Sequence, residues 1–236
     1  MTASDPGPVQ SVICWDIDGT LLTTARAGVF ALEEAAREVV GQVPDFSSLP
    51  TAGLTDAEVA ALAIRTCGGD DSAQNVSEFL RVYERQLPDR LSWREGRVLP
   101  GVVEVLDHLA PRTDVACILL TGNTEAGARA KLAHYGLAGR FDAGAFCTGV
   151  DDRETIARRA HALALERYGH DLPGERIYVV GDTTHDVGCG KAIGARTVAV
   201  ASGPVPRSEL VASEPWLLLE ALPEPHRFTE LLGLAA

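Results

Sequence analysis

Val12-Ile13-Cys14-Trp15-Asp16-Ile17-Asp18-Gly19-Thr20 carries more of the fold than any other stretch of the chain. Four apolar residues in a row read as a short strand covered on both faces, and the run stops abruptly at a polar cluster. That cluster has two bland readings. Asp18-Gly19 suits a hairpin turn, but a hairpin needs a second alternating strand, and Thr23 onward has a helical pattern instead. A calcium loop fails on spacing, because the glycine comes too early and no bidentate glutamate follows at the right place.

The same ending recurs further along. Val115 to Leu120 is a second buried run and stops at Thr121-Gly122-Asn123-Thr124. Ile177 to Val180 is another and stops at Gly181-Asp182-Thr183-Thr184-His185-Asp186. Phe141 to Cys147 and Thr197 to Ala201 add two more strands. Between them, Gly101–Ala110, Thr124–Tyr135, Arg153–Tyr168 and Asp186–Ile193 have helical apolar spacing. Strand–helix alternation of this kind gives an α/β fold: a Rossmann-like parallel sheet with helices on both faces.

One segment breaks the alternation. Roughly seventy residues separate the first strand from Leu99-Pro100, too many for an ordinary connection. Within them Ala27–Val40, Thr55–Cys67 and Asn75–Gln86 look helical, no strand is evident, and Thr55-Asp56-Ala57-Glu58 fits a capping box behind Leu54. The expected organisation is an α/β core made of residues 1–21 and 98–236, with an all-α insertion over 22–97. Arg207 to Ala236 reads as one or two short helices packed on the core, and MTASDPGPVQ as a short disordered tail rather than a signal peptide.

Bulk properties exclude several classes. A formal net charge of -12 over 236 residues, with no basic run, argues against a nucleic-acid or anionic-membrane partner. No apolar stretch is long enough to span a bilayer, so the cytoplasm is the default location. The five cysteines are scattered without a C-x-x-C pair and read as small hydrophobes rather than zinc ligands.

In an open parallel sheet, ligands bind outside the carboxyl ends of the strands, and right-handed crossovers keep those ends on one edge. Asp16, Asp18, Asp182 and Asp186 are therefore expected to meet in one pocket, an arrangement that is costly unless a cation sits among them. Hard oxygen ligands in a loose arrangement suit Mg²⁺. Thr121 supplies a hydroxyl, Gly122 an unobstructed N–H, and Thr124 opens a helix whose N-terminus favours an anion. Carboxylates, a hydroxyl and a metal make a phosphoryl-transfer site, in which Asp16 attacks phosphorus and Asp18 protonates the leaving oxygen.

The ordered set strand-D-x-D-G-T, strand-T-G-N and strand-G-D-x-x-x-D resembles the haloacid dehalogenase superfamily, and within it the phosphoglycolate-phosphatase-like hydrolases with a helical cap. The likeness runs from about Val12 to Ala201. It implies that Asp16 is nucleophile and metal ligand, and that Asp18 is the acid/base and lends its backbone carbonyl to the metal. It further implies that Asp182 is the other carboxylate on Mg²⁺, with Asp186 in or near the outer shell, and that Thr121, Gly122 and Asn123 bind phosphate. The family also uses a basic residue, usually lysine, near the start of the helix before G-D; here Arg153 stands in that place. Lys131 and Lys191 fall at ordinary helical positions and read as solvated charges, Thr55 and Asp56 as helix caps, His185 as a rim residue, and Trp15 as core.

The implied activity is Mg²⁺-dependent hydrolysis of a small phosphorylated metabolite through an aspartyl-phosphate. A sugar phosphomutase of the β-phosphoglucomutase kind is the alternative enzyme, for which Arg26, Arg65 and Arg94 are the candidate cap cations. A dehalogenase has no use for Asp18, and a catalytically silent binding module is expected to have lost one of the three key aspartates.

Overall fold

Strand β1 (Ser11–Trp15) lies at the middle of the molecule, and all five of its residues are buried. The computed structural model describes residues 9–149 and 151–234. The expected tail over 1–10 therefore falls, apart from Val9 and Gln10, outside the described residues, as do Ala235 and Ala236. In chain order, β1 is followed by β2 (Leu22–Thr23), α1 (Ala27–Val39), α2 (Asp56–Thr66), α3 (Ala73–Leu91) and β3 (Arg97–Val98). Next come α4 (Val102–Leu109), β4 (Val115–Thr124), α5 (Glu125–His134), β5 (Ala143–Cys147) and α6 (Arg153–Tyr168). A 3₁₀ turn (Gly174–Arg176) then leads to β6 (Ile177–Gly181), α7 (Thr184–Ala192), β7 (Arg196–Val200), α8 (Arg207–Ala212), β8 (Leu217–Leu219) and α9 (Pro225–Leu232).

The six-stranded sheet has the order β5-β4-β1-β6-β7-β8, and every pairing in it is parallel. This bears out the expected α/β class. The pleat divides β1 between two cores: Val12 and Cys14 join the apolar cluster that includes α3 and α6 residues, while Ile13 and Trp15 join the one built with α4 and α9. Trp15 stacks on Phe228 of α9 with ring centroids 5.7 Å apart, so it belongs to the core as its strand position required. Removing an aromatic side chain from such a position costs about 3–5 kcal/mol.

Polar side chains close the helices that start at the sheet edge. Thr124 caps α5 by accepting from the Gly127 N–H at 3.1 Å, and Asp152 caps α6 by accepting from Thr155 at 2.7 Å. The capping box on α2 forms as its sequence predicts: Thr55 accepts from the Glu58 N–H and donates its own N–H to Glu58. A second box, between Thr183 and Asp186, opens α7.

The structure corrects the sequence reading at three places. β2 and β3 pair antiparallel just where the chain enters and leaves the helical segment, in which no strand was expected. Helix α3 runs on through Pro88 to Leu91, because Leu87 and Leu91 are fully buried and their packing outweighs the proline's missing N–H. Leu217–Leu219 is a sheet edge strand rather than part of a helix, paired with β7. Of the cysteines, Cys14, Cys147 and Cys189 are buried, and Cys67 and Cys117 partly so.

Candidate active site

The carboxyl ends of β1, β4 and β6 deliver the three polar clusters to one place. Asp16, Asp182 and Asp186 are buried, and each offers a carboxylate oxygen within 4.8 Å of the others. The turn after β1 brings Asp18 back to bridge with Leu22, and Gly19 makes the bend at φ 84°. That glycine is required: a Cβ there would lie 2.3 Å from Asp182 Oδ2. Gly203, in the loop after β7, approaches the same oxygen, and a Cβ on it would lie 1.6 Å away. Thr20 donates to the other oxygen, Asp182 Oδ1, at 3.0 Å.

Electrostatics sets the character of the cluster. Burial, reinforced by Asp186, raises the Asp16 carboxyl to about 7, although Arg153 pulls the other way. Burial, with Asp186 and Asp16 adding to it, raises Asp182 to about 8. Asp182 Oδ2 is buried and has no hydrogen-bond partner among the described residues. A buried carboxylate oxygen without a donor, beside two further carboxylates, fits a hard divalent cation. The residues present therefore match the metal that the family implies.

Arg153, at the first position of α6, reaches into this cluster. Its Nη1 lies 3.4 Å from Asp16 Oδ1 and its Nη2 pairs with Asp186 Oδ1. Both partners hold the guanidinium charged against the opposing effect of burial. The other Asp186 oxygen accepts from the Thr183 N–H at 3.0 Å and the Thr183 hydroxyl at 2.7 Å. Asp186 thus has both oxygens engaged by the protein.

The β4 cluster lies on the other side. Asn123 Nδ2 donates to Asp18 Oδ2 and to Thr121 Oγ1, each at 2.8 Å. Gly122 sits beneath the segment that precedes α2: a Cβ there would lie 2.9 Å from the Leu54 carbonyl oxygen and 3.0 Å from Arg153 Nη1. The bare backbone is what lets the inserted helices come so near. Gly53 makes the matching contact, since a Cβ on it would be 2.6 Å from the His185 ring, and His185 is otherwise exposed at the rim.

Lys131 departs from the sequence reading. It is not a solvated helix charge: it is 5% exposed, and its Nζ lies 2.6 Å from Asp18 Oδ2 and 2.5 Å from Asn123 Oδ1. Asp18, Tyr83 and Asp56 together keep the ammonium protonated despite its burial. The signal was present in the sequence, because Lys131 follows Gly127 by four residues and Ala128 by three, on the buried face of α5. Lys191 is the ordinary case, binding the Ser213 carbonyl at the surface. Asp56 does more than open α2: its Oδ2 accepts from the Thr124 N–H at 2.8 Å, and desolvation raises its carboxyl to about 6. Thr20, Gly19 and Gly203 were likewise not singled out, and only the folded chain brings them to Asp182.

Of the basic residues suggested for a second phosphate, Arg65 pairs with Asp71 at 2.5 Å, and Arg94 stacks over Phe30. Arg26 and Arg94 share the lining of a cavity of about 480 Å³ with Glu33 and Phe30.

A doubly covered parallel sheet that gathers buried aspartates, an arginine and a lysine at its carboxyl edge suits phosphoryl-transfer chemistry. The chain matches the haloacid dehalogenase-like hydrolase family over residues 13–191, and it belongs to that family. It is similar to the tyrosine-protein kinase PtkA of Mycobacterium tuberculosis, 32% identical over 203 residues. That match covers 85% of this chain, and the chain spans 65% of the length of PtkA. A phosphoglycolate phosphatase of Synechococcus elongatus is 30% identical over 213 residues, covering 89% of this chain and 92% of the relative. Among solved structures, a hydrolase from Pseudomonas syringae shares the fold with a TM-score of 0.73 at 18% identity, covering 94% of this chain and 99% of that one. The family match agrees with the resemblance read from the sequence.

Proposed function

We propose that this chain is an Mg²⁺-dependent phosphatase acting on a small phosphorylated metabolite through an aspartyl-phosphate on Asp16. The observation that carries the reading is Asp182 Oδ2, without a hydrogen-bond partner among the described residues, inside a buried carboxylate cluster that also contains Asp16. Asp16, Asp182 and the Asp18 backbone carbonyl hold the metal in this reading. When bound, it neutralises phosphate charge so that an anionic nucleophile can approach.

Arg153, Thr121 and the Gly122 and Asn123 backbone grip the phosphoryl oxygens. A carboxylate oxygen of Asp16 attacks phosphorus as the bond to the leaving oxygen breaks, and Asp18 gives that oxygen its proton. Water then attacks the phosphorus of the aspartyl-phosphate and passes a proton to Asp18. The Asp16–phosphorus bond breaks, and inorganic phosphate is released. Residues 22–97 act as a cap over this site, a role supported by the closeness of Leu54 and Thr55 to Gly122 and of Gly53 to His185.

The relevant compartment is the cytoplasm; among the described residues no helix is long and apolar enough to cross a membrane. The test is phosphate release from 4-nitrophenyl phosphate with Mg²⁺ or chelator, for the wild type and Asp16→Asn. Release should depend on metal and fall at least ~10³-fold in the variant. Metal-dependent release that survives Asp16→Asn would sink the assignment.

The similarity to PtkA favours one second reading, in which the aspartyl-phosphate is passed to a tyrosine hydroxyl instead of water. Transfer of label from [γ-³²P]ATP to a tyrosine peptide, without prior release of phosphate, distinguishes it.

A further inference from the structure

Asp18 Oδ2 already has two donors, Asn123 Nδ2 at 2.8 Å and Lys131 Nζ at 2.6 Å. Two donors fill the lone pairs of Oδ2, so Oδ1 is the oxygen left to face the site. Lys131 Nζ is itself fixed by Asn123 Oδ1 at 2.5 Å, which closes a three-membered ring of side chains from the turn after β1, from β4 and from α5. Helices α2 and α3 bring Asp56 and Tyr83 up to the Lys131 side of this ring. The bare Gly127 on α5 brings Asp56 Oδ2 and the Tyr83 ring close, with a Cβ there lying 3.5 and 3.6 Å from them. Asp56 is tied to α5 by the Thr124 N–H.

We infer that Lys131 is a positioning residue for the acid/base: it holds Asp18 Oδ2 so that Oδ1 faces the leaving group, and the docked α2 and α3 helices keep it there. The inference rests on the proposed phosphatase reading and names the residue that orients its proton donor. Lys131 Nζ is engaged by Asp18 Oδ2 and Asn123 Oδ1. It is buried on the inner face of α5, whereas the side chain of Asp18 remains 43% exposed.

A lysine that merely supports the fold would slow all substrates alike. A lysine that aims the proton donor matters most where the leaving group needs a proton. The experiment measures kcat/KM of the full chain with Mg²⁺ over substituted phenyl phosphates, from 4-nitrophenyl to 4-methoxyphenyl. This parameter reports the step in which the leaving group departs.

In Lys131→Met, kcat/KM should fall less than about 3-fold for 4-nitrophenyl phosphate and about 30-fold or more for 4-methoxyphenyl phosphate, within the usual reach of general-acid catalysis. Lys131→Arg keeps a cation and should fall between. In an Asp18→Asn background, Lys131→Met should leave the dependence on leaving group unaltered. A uniform loss across the series, or no loss, overturns the inference while leaving the phosphatase reading intact. Failure of the wild type to release phosphate from any of these esters overturns both. Should Lys131→Met fail to fold, Lys131→Gln, which keeps an N–H donor without charge, is held to the same criterion.

Discussion

The raised carboxyls of Asp16 and Asp182 make metal-free stability fall with pH in a window that can be worked out. Both groups ionise near 3.8 when the chain is unfolded, and at about 7 and about 8 in the metal-free fold. Their native pKa values lie above the unfolded ones, so between about pH 4 and 8 the folded state binds more protons than the unfolded chain. Stability is therefore highest on the acid side of the window and is lost as pH rises through the folded values. Taken from pH 6 to 8, this loss comes to roughly 2–4 kcal/mol, the lower part applying if the pair shares one proton. For a chain of this length it lowers Tm by roughly 5–15 °C.

Divalent metal replaces those protons as counter-charge, so saturating Mg²⁺ should remove most of the slope and stabilise the protein most at pH 8. Differential scanning calorimetry at pH 6, 7 and 8, with EDTA or Mg²⁺, reads the effect directly. Asp182→Asn provides the control: without metal it should be more stable than the wild type at pH 8 and much closer to it at pH 6. A metal-free Tm that is flat or rising from pH 6 to 8 would refute the reasoning, as would a Mg²⁺ increment that is no larger at pH 8 than at pH 6.

Two further outcomes follow from the same cluster. Arg153→Met leaves Asp16 and Asp186 without their buried cation, and should cost about 3–5 kcal/mol of stability along with most phosphatase activity; Arg153→Lys should recover a measurable part of both. Gly203→Ala places a methyl group 1.6 Å from Asp182 Oδ2, so the Mg²⁺ concentration for half-maximal activity should rise at least about tenfold, whereas Gly188→Ala, with nothing within 4 Å, should leave it unchanged.

The sheet was legible because its strands are short apolar runs that each end in a polar cluster, and burial on both faces imposes that composition. Leu217–Leu219 escaped because three leucines fit a helix as well as an edge strand, and only pairing with β7 decides between them. The aspartates were readable from their places at strand ends. Lys131 was not given its place, although a lysine on the Gly127–Ala128–Leu132 face of α5 is a buried charge in need of a partner. That partner, Asp18, lies 113 residues earlier, and nothing local points to it. Thr20, Gly19 and Gly203 converge on Asp182 for the same reason: chain crossovers, and not spacing, bring them together.

The position of β1 between β4 and β6 has a consequence for the chain as it is made. Val12 pairs with Ala116 on one side and with Ile177 on the other, so one neighbour of the central strand is synthesised 165 residues after it. At 5–20 residues per second, Ser11–Trp15 waits about 10–30 s on the ribosome with one edge open and its apolar faces only partly covered. Nascent chains stalled before Ile177 should therefore recruit holdase chaperones to this strand, and release them once β6 has emerged.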